Sequence, residues 1–279
     1  MNSVTQEGWA GRKRSVAIGG TAMAYIEIGG AEPPLVLIHG FTDTSRSFSL
    51  LVPYLEGRRL IIPDLRGHGA SQAGTSGLGP ADFADDLAAL IARLQLVQPV
   101  LVGHSLGSMI AIEMVARHPA LAGGLVLLAG TLQPAISDAH PMVVGVQSLR
   151  DPISPTDPFY AYWHACEADV PRDFLAMAAA EASTMPAPRW RAILEQVRRT
   201  DLTAAARSVK VDTLIVNGGR DPLFDSMHRQ RLVEAFRTAA VVEAADCGHN
   251  PHWEDPALIA ELISAHFPAH KEPRQMSQP

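Results

Sequence analysis

The residues with the clearest chemical potential lie in one pentapeptide, Gly103-His104-Ser105-Leu106-Gly107. An apolar run at residues 100–102 precedes it, and an apolar helical pattern at residues 109–115 follows it. In such a strand-to-helix turn, the glycines let the strand and the helix pass closely, and the serine hydroxyl is exposed as a nucleophile. The N–H of Leu106 would lie at the helix N-terminus, where it can donate to a developing oxyanion. The pattern therefore predicts a nucleophilic Ser105.

A serine hydroxyl is a poor nucleophile at neutral pH, so it needs a histidine base that a carboxylate orients. Asp221 and His249 each follow one of the last two strand-like runs of the chain. The chain order Ser105, Asp221, His249 differs from the orders of chymotrypsin and subtilisin. Two other carboxylates could orient His249, but Asp225 is predicted to cap a helix over residues 226–236 and Asp246 to lie in a turn.

A metal site is the alternative use of this histidine. Asp246, Cys247, His249 and His252 lie close together in sequence, but no second Cys/His cluster completes a coordination shell. We therefore predict no metal and no cofactor. Four further histidines are predicted to be structural: His39, His68, His104 and His118.

Short apolar, β-branched runs alternate with helical patterns, which predicts a mostly parallel sheet covered by helices. The predicted strands are residues 15–18, 22–28, 35–38, 60–62, 100–102, 125–128, 213–216 and 241–243. A helix is predicted to begin after Pro80, because Phe83, Leu87, Leu90, Ile91 and Leu94 form one apolar stripe. Its opposite face, with Asp82, Asp85, Asp86 and Arg93, is predicted to be solvated.

The strand–helix alternation stops after Leu128, and from about residue 134 to residue 207 the apolar residues fall at helical spacing. We predict a helical cap over residues 134–207, inserted in a core formed by residues 1–133 and 208–279. The last residues, His270 to Pro279, are predicted to be a polar, poorly ordered tail.

An aromatic cluster in the predicted cap has two interpretations. It would form an apolar wall of a substrate pocket if it faces the sheet, or the cap's own core if it does not, and the second is the commoner use of such clusters. The candidate pocket residues are Phe159, Tyr160, Trp163, His164 and Trp190.

Several ordered motifs extend beyond the serine pentapeptide: His39-Gly40, the segment of residues 63–71, Gly219-Arg220-Asp221, and Gly248-His249 with Pro251 and Glu254. Over nearly its whole length the sequence resembles the α/β-hydrolase superfamily. The resemblance implies an eight-stranded sheet, a triad of Ser105, Asp221 and His249, a helical cap after the sixth strand, and the backbone N–H of Phe41 as a second oxyanion donor beside that of Leu106.

Departures from family patterns narrow the expected chemistry. Haloalkane dehalogenases and epoxide hydrolases carry aspartate at the elbow, whereas this chain carries Ser105. Residues 41–45 lack the glycine-rich stretch of lipases and meta-cleavage-product hydrolases. We expect hydrolysis of a carboxylic ester or lactone of a small to medium, largely apolar molecule. Hydrolysis of a carbon–carbon bond and a ligand receptor on a hydrolase scaffold stay open as alternatives.

Composition and charge exclude several partners. The 279 residues carry 23 Lys+Arg against 29 Asp+Glu, a net charge of −6, which argues against nucleic acids and anionic membranes. No apolar run approaches the roughly 20 residues of a membrane span, and no apolar leader is visible. With two cysteines, Cys166 and Cys247, the expected location is the reducing cytoplasm. The sequence leaves a homodimer open.

Overall fold

The apolar runs form the strands of one sheet, in the spatial order β1-β2-β4-β3-β5-β6-β7-β8. The computed structural model describes residues 6–74 and 77–269, and the predicted tail, His270 to Pro279, lies outside these ranges. Within them, the sheet has eight strands: β1 Arg14–Ile18, β2 Thr21–Ile28, β3 Ala31–Ile38, β4 Arg58–Pro63, β5 Val100–His104, β6 Gly124–Leu128, β7 Asp212–Gly218 and β8 Ala240–Ala244. Strand β2 is antiparallel to β1 and β4, and the other neighbours are parallel. Each predicted run lies within one strand, so the prediction of a mostly parallel eight-stranded sheet is confirmed.

Helices cover both faces of this sheet. In chain order they are α1 Pro80–Arg93, α2 Leu106–Arg117, α3 Pro141–Ser148, α4 Pro158–Trp163, α5 Arg172–Ala182, α6 Ala187–Arg199, α7 Thr203–Ser208, α8 Ser226–Ala235, α9 Pro251–Glu254 and α10 Pro256–His266. None of the helices in the described ranges is long and apolar enough to cross a bilayer.

The central strands carry continuous apolar runs because both of their faces are buried. On β5, Leu101 packs into the cluster that contains Phe83 of α1 and Ile110 of α2. Its neighbour Val102 points to the other face, into the cluster that contains Ile263 of α10. A strand buried on both faces loses the polar alternation of a surface strand, which is why the sequence shows continuous runs.

Helix α1 confirms its predicted apolar stripe but corrects the prediction for its opposite face. Asp86 is buried, with 8% of its surface exposed. Its carboxylate accepts hydrogen bonds from Arg66 Nε at 2.7 Å and Arg66 Nη2 at 2.6 Å. This arginine covers the carboxylate from a neighbouring loop, so sequence spacing alone could not reveal its burial. Asp82 accepts from the N–H of Gly79 at 3.0 Å and caps the helix.

Helices α3 to α6 lie between β6 and β7, where the helical insertion is predicted. Helix α7, at the end of the predicted insertion, packs against α2. The residue boundaries of the cap as a separate unit stay a prediction.

Candidate active site

The nucleophile candidate lies at a sharp turn between β5 and α2. Ser105 has a φ of 51°, in the left-handed region that non-glycine residues rarely adopt. A Cβ atom on Gly103 would overlap the carbonyl oxygen of Gly107, and a Cβ on Gly107 would overlap that of Ile38. The two glycines therefore let helix α2 pass against strands β5 and β3, and the turn presents the serine at the carboxyl end of the sheet.

Three predicted residues meet at this point in one hydrogen-bonded chain. His249 Nε2 lies 3.0 Å from Ser105 Oγ, and His249 Nδ1 lies 2.9 Å from Asp221 Oδ2. An ionised carboxylate only accepts, so Nδ1 carries the hydrogen and Nε2 presents its lone pair to the serine hydroxyl. The geometry suits proton transfer from Ser105 to His249.

The environment of Asp221 keeps it ionised. Burial raises the pKa of this carboxyl, but the charge of His249 and its hydrogen bond lower it, and the N–H groups of Leu223 and Phe224 lower it further. These two amides donate to Oδ1 at 2.8 and 3.1 Å. The net effect is a pKa below the usual range, so Asp221 is a carboxylate at neutral pH.

The loops that carry Asp221 and His249 are held against each other. A Cβ atom on Gly218, at the end of β7, would overlap the carbonyl oxygen of Gly248. Glu254 accepts hydrogen bonds from the N–H of Gly248 at 2.9 Å and from that of Asn250 at 3.2 Å, on either side of His249. Close backbone approach and this carboxylate together fix the histidine loop.

The histidine at the second position of the pentapeptide supports the base. His104 Nε2 lies 2.9 Å from the carbonyl oxygen of His249, which only accepts, so Nε2 carries a hydrogen. Burial lowers the pKa of His104 to about 3, so the ring is neutral at neutral pH. The centroid of the His249 ring lies 5.2 Å from that of His104 and 5.2 Å from that of Phe224.

The predicted oxyanion donors are placed beside Ser105. As the first residue of α2, Leu106 has an N–H that helical hydrogen bonding leaves unpaired. Phe41 follows β3 and lines the cavity at Ser105 together with Leu106. His39 accepts a hydrogen bond from the N–H of Leu65 at 2.9 Å, which anchors the start of the Phe41 loop.

Two small cavities open onto Ser105, and each has a volume of about 20 Å³. We name them the apolar cavity and the polar cavity. Phe41, Ser105 and Trp163 line both. The apolar cavity is further lined by Leu106, Met109, Met142, Leu194, Val197 and Phe224. The polar cavity is further lined by Asp43, His104, His164, His249, Asn250 and Trp253.

A profile of the alpha/beta hydrolase family matches residues 35–262, which is most of the chain and includes all three residues of the hydrogen-bonded chain. The chain belongs to the alpha/beta hydrolase family. It is therefore a hydrolase, as the serine pentapeptide and the strand order lead one to expect.

Similar proteins agree with this assignment. A 2-(acetamidomethylene)succinate hydrolase of Mesorhizobium japonicum is 31% identical over 247 residues, which cover 84% of this chain and 88% of the relative. A pimeloyl-[acyl-carrier protein] methyl ester esterase of Aromatoleum aromaticum is 30% identical over 253 residues, covering 83% of this chain and 98% of the relative. The esterase EaEST from Exiguobacterium antarcticum has the same fold, with a TM-score of 0.78 at 20% identity, over 89% of this chain and 96% of that one.

The cap aromatics of this hydrolase divide into two layers. Trp163 and His164 line the polar cavity, and the Trp163 indole N–H donates to Thr42 Oγ1 at 3.2 Å. Phe159, Tyr160 and Trp190 do not line either cavity, and their place in a substrate pocket stays a prediction. The ring of Phe159 stacks on that of Trp163, with centroids 5.9 Å apart. The ring of Trp190 meets that of Phe41 edge-on, with centroids 5.6 Å apart. Phe159 and Trp190 therefore pack against side chains that line the cavities. Tyr160 packs edge-on against Trp190 at 6.2 Å.

The alternative sequence candidates lie elsewhere. Asp225 caps α8 by accepting from the N–H groups of Met227 and His228, as predicted. Asp246 is exposed and pairs with Arg220 at 2.6 Å. Among residues 6–74 and 77–269, no three His, Cys, Asp or Glu side chains are arranged to hold a metal ion.

Sequence reasoning assigned no role to Asp43, which the hydrolase places in the polar cavity beside Ser105 and His249. Its side chain is 8% exposed, and Ser47 Oγ donates to Asp43 Oδ2 at 3.0 Å. The available signal was a carboxylate two residues after Phe41, in the loop that carries an oxyanion donor. The sequence shows that the residue is there, but not that it is buried.

Proposed function

We propose that this hydrolase cleaves a carboxylic ester or lactone of a small to medium, largely apolar molecule through an acyl-enzyme on Ser105. The observation that carries the proposal is the continuous chain from Ser105 Oγ through His249 to Asp221, with distances of 3.0 and 2.9 Å. A histidine base beside the hydroxyl, oriented by a carboxylate, is enough to generate a serine nucleophile without a cofactor.

The mechanism follows from the direction of these hydrogen bonds. His249 Nε2 takes the proton of Ser105 Oγ as that oxygen attacks the ester carbonyl carbon. The N–H groups of Phe41 and Leu106 stabilise the oxyanion, and Asp221 stabilises the imidazolium. His249 then protonates the leaving alcohol oxygen, and the acyl-enzyme forms. Water attacks the acyl-enzyme with His249 as base, which releases the acid and regenerates Ser105.

The apolar cavity supports an apolar acyl group. Apart from Ser105, its wall consists of aliphatic, aromatic, proline and methionine side chains. The described residues that line either cavity include no Lys or Arg. Dienone acids, the substrates of the carbon–carbon alternative, carry a carboxylate that would then lie in a buried site without a cation. The lining therefore favours neutral esters and lactones.

Active-site labelling tests the proposal. A fluorophosphonate should add once to the wild-type protein and not to Ser105→Ala, as measured by intact mass. The wild type should hydrolyse short and medium p-nitrophenyl esters, and Ser105→Ala should lower kcat by about four orders of magnitude or more. Ser137→Ala is the matched control, because Ser137 is an exposed serine in the loop after β6.

Each contrary outcome has a distinct meaning. Unchanged turnover in Ser105→Ala would refute the acyl-enzyme. Absence of an adduct on folded wild type, together with tight stoichiometric ligand binding and no product, would favour the receptor alternative. Turnover of a dienone acid in preference to all esters would favour the carbon–carbon alternative.

A further inference from the structure

The two cavities at Ser105 have chemically different linings, and His249 lines only one of them. His249, which lies against Ser105, lines the polar cavity and is not part of the wall of the apolar one. In serine hydrolysis the histidine delivers its proton to the leaving-group oxygen, so the leaving group must lie on the histidine side. On the proposed function, the leaving group therefore occupies the polar cavity and the acyl group occupies the apolar cavity.

The polar cavity is built from buried polar side chains whose hydrogen-bonding capacity is incompletely used. Exposure is 8% for the Asp43 side chain, 2% for His104 and 6% for His164. Within the described part of the chain, His104 Nδ1 and His164 Nε2 are buried and have no hydrogen-bond partner. Buried polar atoms are rarely left unpaired, and such atoms at a reaction centre point to a partner supplied by substrate.

The hydrogen-bonding states of Asp43 and His104 indicate that the group which would pair with them is a hydrogen-bond donor. His104 Nε2 donates to the carbonyl of His249, so the neutral ring presents Nδ1 as an acceptor. This nitrogen lies 3.9 Å from Asp43 Oδ2, which is beyond hydrogen-bond distance. Two acceptors that face each other at this distance are better satisfied by a hydroxyl hydrogen than by an apolar group.

Charge at Asp43 supports the same conclusion. Burial raises the pKa of Asp43 to about 7, although the Ser47 hydrogen bond, the charge of His249 and a hydrogen bond with the backbone of Gly40 act in the opposite direction. Among the described residues, the basic side chain within 4 Å of the Asp43 carboxylate is that of His104, which is neutral at neutral pH. Above pH 7 the ionised carboxylate therefore lacks a cation, and a donor from the substrate would replace part of its lost hydration.

We propose that the polar cavity receives the leaving group, and that Asp43 selects leaving groups that carry a hydroxyl or another neutral hydrogen-bond donor. A compact group fits best, because the cavity leaves about 20 Å³. Asp43 is then a specificity-determining residue of the same site, and its role rests on the proposed ester hydrolysis.

Three hexanoate esters test the proposal. The 2-hydroxyethyl ester supplies the donor, the propyl ester matches its size with a methyl group, and the 2-methoxyethyl ester keeps the electron-withdrawing oxygen without the donor. All three form the same hexanoyl-enzyme, so differences in kcat/KM report substrate binding and acylation, and deacylation does not contribute. At about pH 8.5, where Asp43 is ionised, wild type should prefer the 2-hydroxyethyl ester over each of the others by about tenfold, the scale of a hydrogen bond to a charged acceptor.

Variants separate recognition from structure. Asp43→Ala should bring the three kcat/KM values to within about twofold of one another, whereas Asp43→Asn, which keeps an acceptor oxygen, should retain part of the preference. Asp246→Asn is the matched control, because that carboxylate is exposed and outside both cavities. A merely structural effect of Asp43→Ala would lower all three kcat/KM values equally. Fluorophosphonate labelling of Ser105 checks that each variant keeps an assembled triad.

The outcomes distinguish the two proposals. Labelled wild type that hydrolyses the 2-hydroxyethyl and 2-methoxyethyl esters equally well overturns the role of Asp43 and leaves ester hydrolysis standing. A preference that survives in Asp43→Ala does the same. Wild type that neither reacts with the fluorophosphonate nor hydrolyses an ester overturns both. If Asp43→Ala does not fold, the wild-type ratios and Asp43→Asn still decide the question.

Discussion

At the scale of single residues, the proposed chemistry depends on which nitrogen of His249 carries the hydrogen. Asp221 sets this tautomer by accepting from Nδ1 at 2.9 Å. In Asp221→Asn, the amide can donate to Nδ1 and move the hydrogen to Nε2, where it faces Ser105 as a second donor. We expect kcat for a p-nitrophenyl ester to fall by about 10³–10⁴, the loss known for the same change in a serine protease.

The matched control for this prediction is Asp225→Asn. Asp225 lies four residues further along the chain and caps α8, and asparagine caps a helix equally well. The control should keep wild-type turnover within about twofold. Wild-type kcat in Asp221→Asn would show that another group orients His249, and the assignment of Asp221 would then be wrong.

The same scale shows where sequence is informative. Ser105, Asp221 and His249 could be found because each has a local signal: glycines around the serine, and a polar residue directly after an apolar strand. Asp43 and Asp86 have no such signal. Their burial depends on partners that are distant in sequence, such as His104 for Asp43 and Arg66 for Asp86. A carboxylate's surroundings, and hence its pKa, are properties of the folded chain.

At the scale of elements, the distance between the Asp221 loop and the His249 loop determines whether these two side chains can form a hydrogen bond. Gly218 ends β7 and packs against the backbone of Gly248, one residue before His249. A methyl group in Gly218→Ala would push the loops apart. We expect a destabilisation of about 1–3 kcal/mol and a fall in kcat of about 100-fold, because small displacements of catalytic groups are costly.

Denaturant unfolding and ester turnover measure these two effects. Gly29→Ala is the control, because the space around the corresponding Cβ position in the β2–β3 connection is open. It should leave turnover unchanged. If Gly218→Ala keeps wild-type kcat, the contact between the two loops does not determine the position of His249.

The carboxylate of Glu254 links the histidine loop to the segment between α4 and α5. Besides its two bonds around His249, Glu254 accepts from the N–H of Glu167 at 2.9 Å and of Ala168 at 3.3 Å, in the segment between α4 and α5. Glu254→Gln replaces an acceptor oxygen with an NH₂ group that would face backbone donors. We expect a loss of about 1–3 kcal/mol in the free energy of unfolding and faster amide hydrogen exchange at residues 167 and 168.

Glu261→Gln on the exposed face of α10 is the matched control and should change neither quantity. Unchanged exchange at residues 167 and 168 in Glu254→Gln would show that the carboxylate does not hold this segment in place.

The sequence predicts the sheet strands because burial on both faces leaves an apolar run, and it predicts helices in the insertion. It could not orient the cap, because contacts such as Glu254 with Glu167 join residues 87 positions apart.

At the scale of the whole molecule, the structure is nearly closed around Ser105. Each cavity has about 20 Å³, which is space for about one water molecule. An ester of several carbons therefore enters only when the cap or the lining side chains move.

Burial also keeps five histidines of the folded chain neutral. Burial lowers the pKa of His39 and His104 to about 3, that of His68 and His164 to about 4, and that of His252 well below its usual value.

These five histidines make stability sensitive to mild acid. The unfolded chain protonates them below about pH 6.5 while the folded chain does not, so the free energy of unfolding falls as pH falls from 6.5 toward 4. Asp43 acts in the opposite direction. Its pKa of about 7 in the folded chain lies above its usual value of 3.8, so the folded chain holds a proton that the unfolded chain releases, and stability rises as pH falls through 7. Summed over the six groups, the expected loss between pH 6.5 and 5.5 is about 4 kcal/mol.

Urea unfolding at pH 7.5, 6.5 and 5.5 measures this loss, which is large against the roughly 5–15 kcal/mol of a typical domain. Asp43→Asn checks the signs separately. Because it removes the one opposing titration, it should steepen the loss between pH 6.5 and 5.5 by about 1 kcal/mol. A free energy of unfolding that stays constant from pH 7.5 to 5.5 would mean that the histidines take up protons in the folded state. In that case water reaches their rings, and the closed interior around Ser105 opens far more readily than its packing implies.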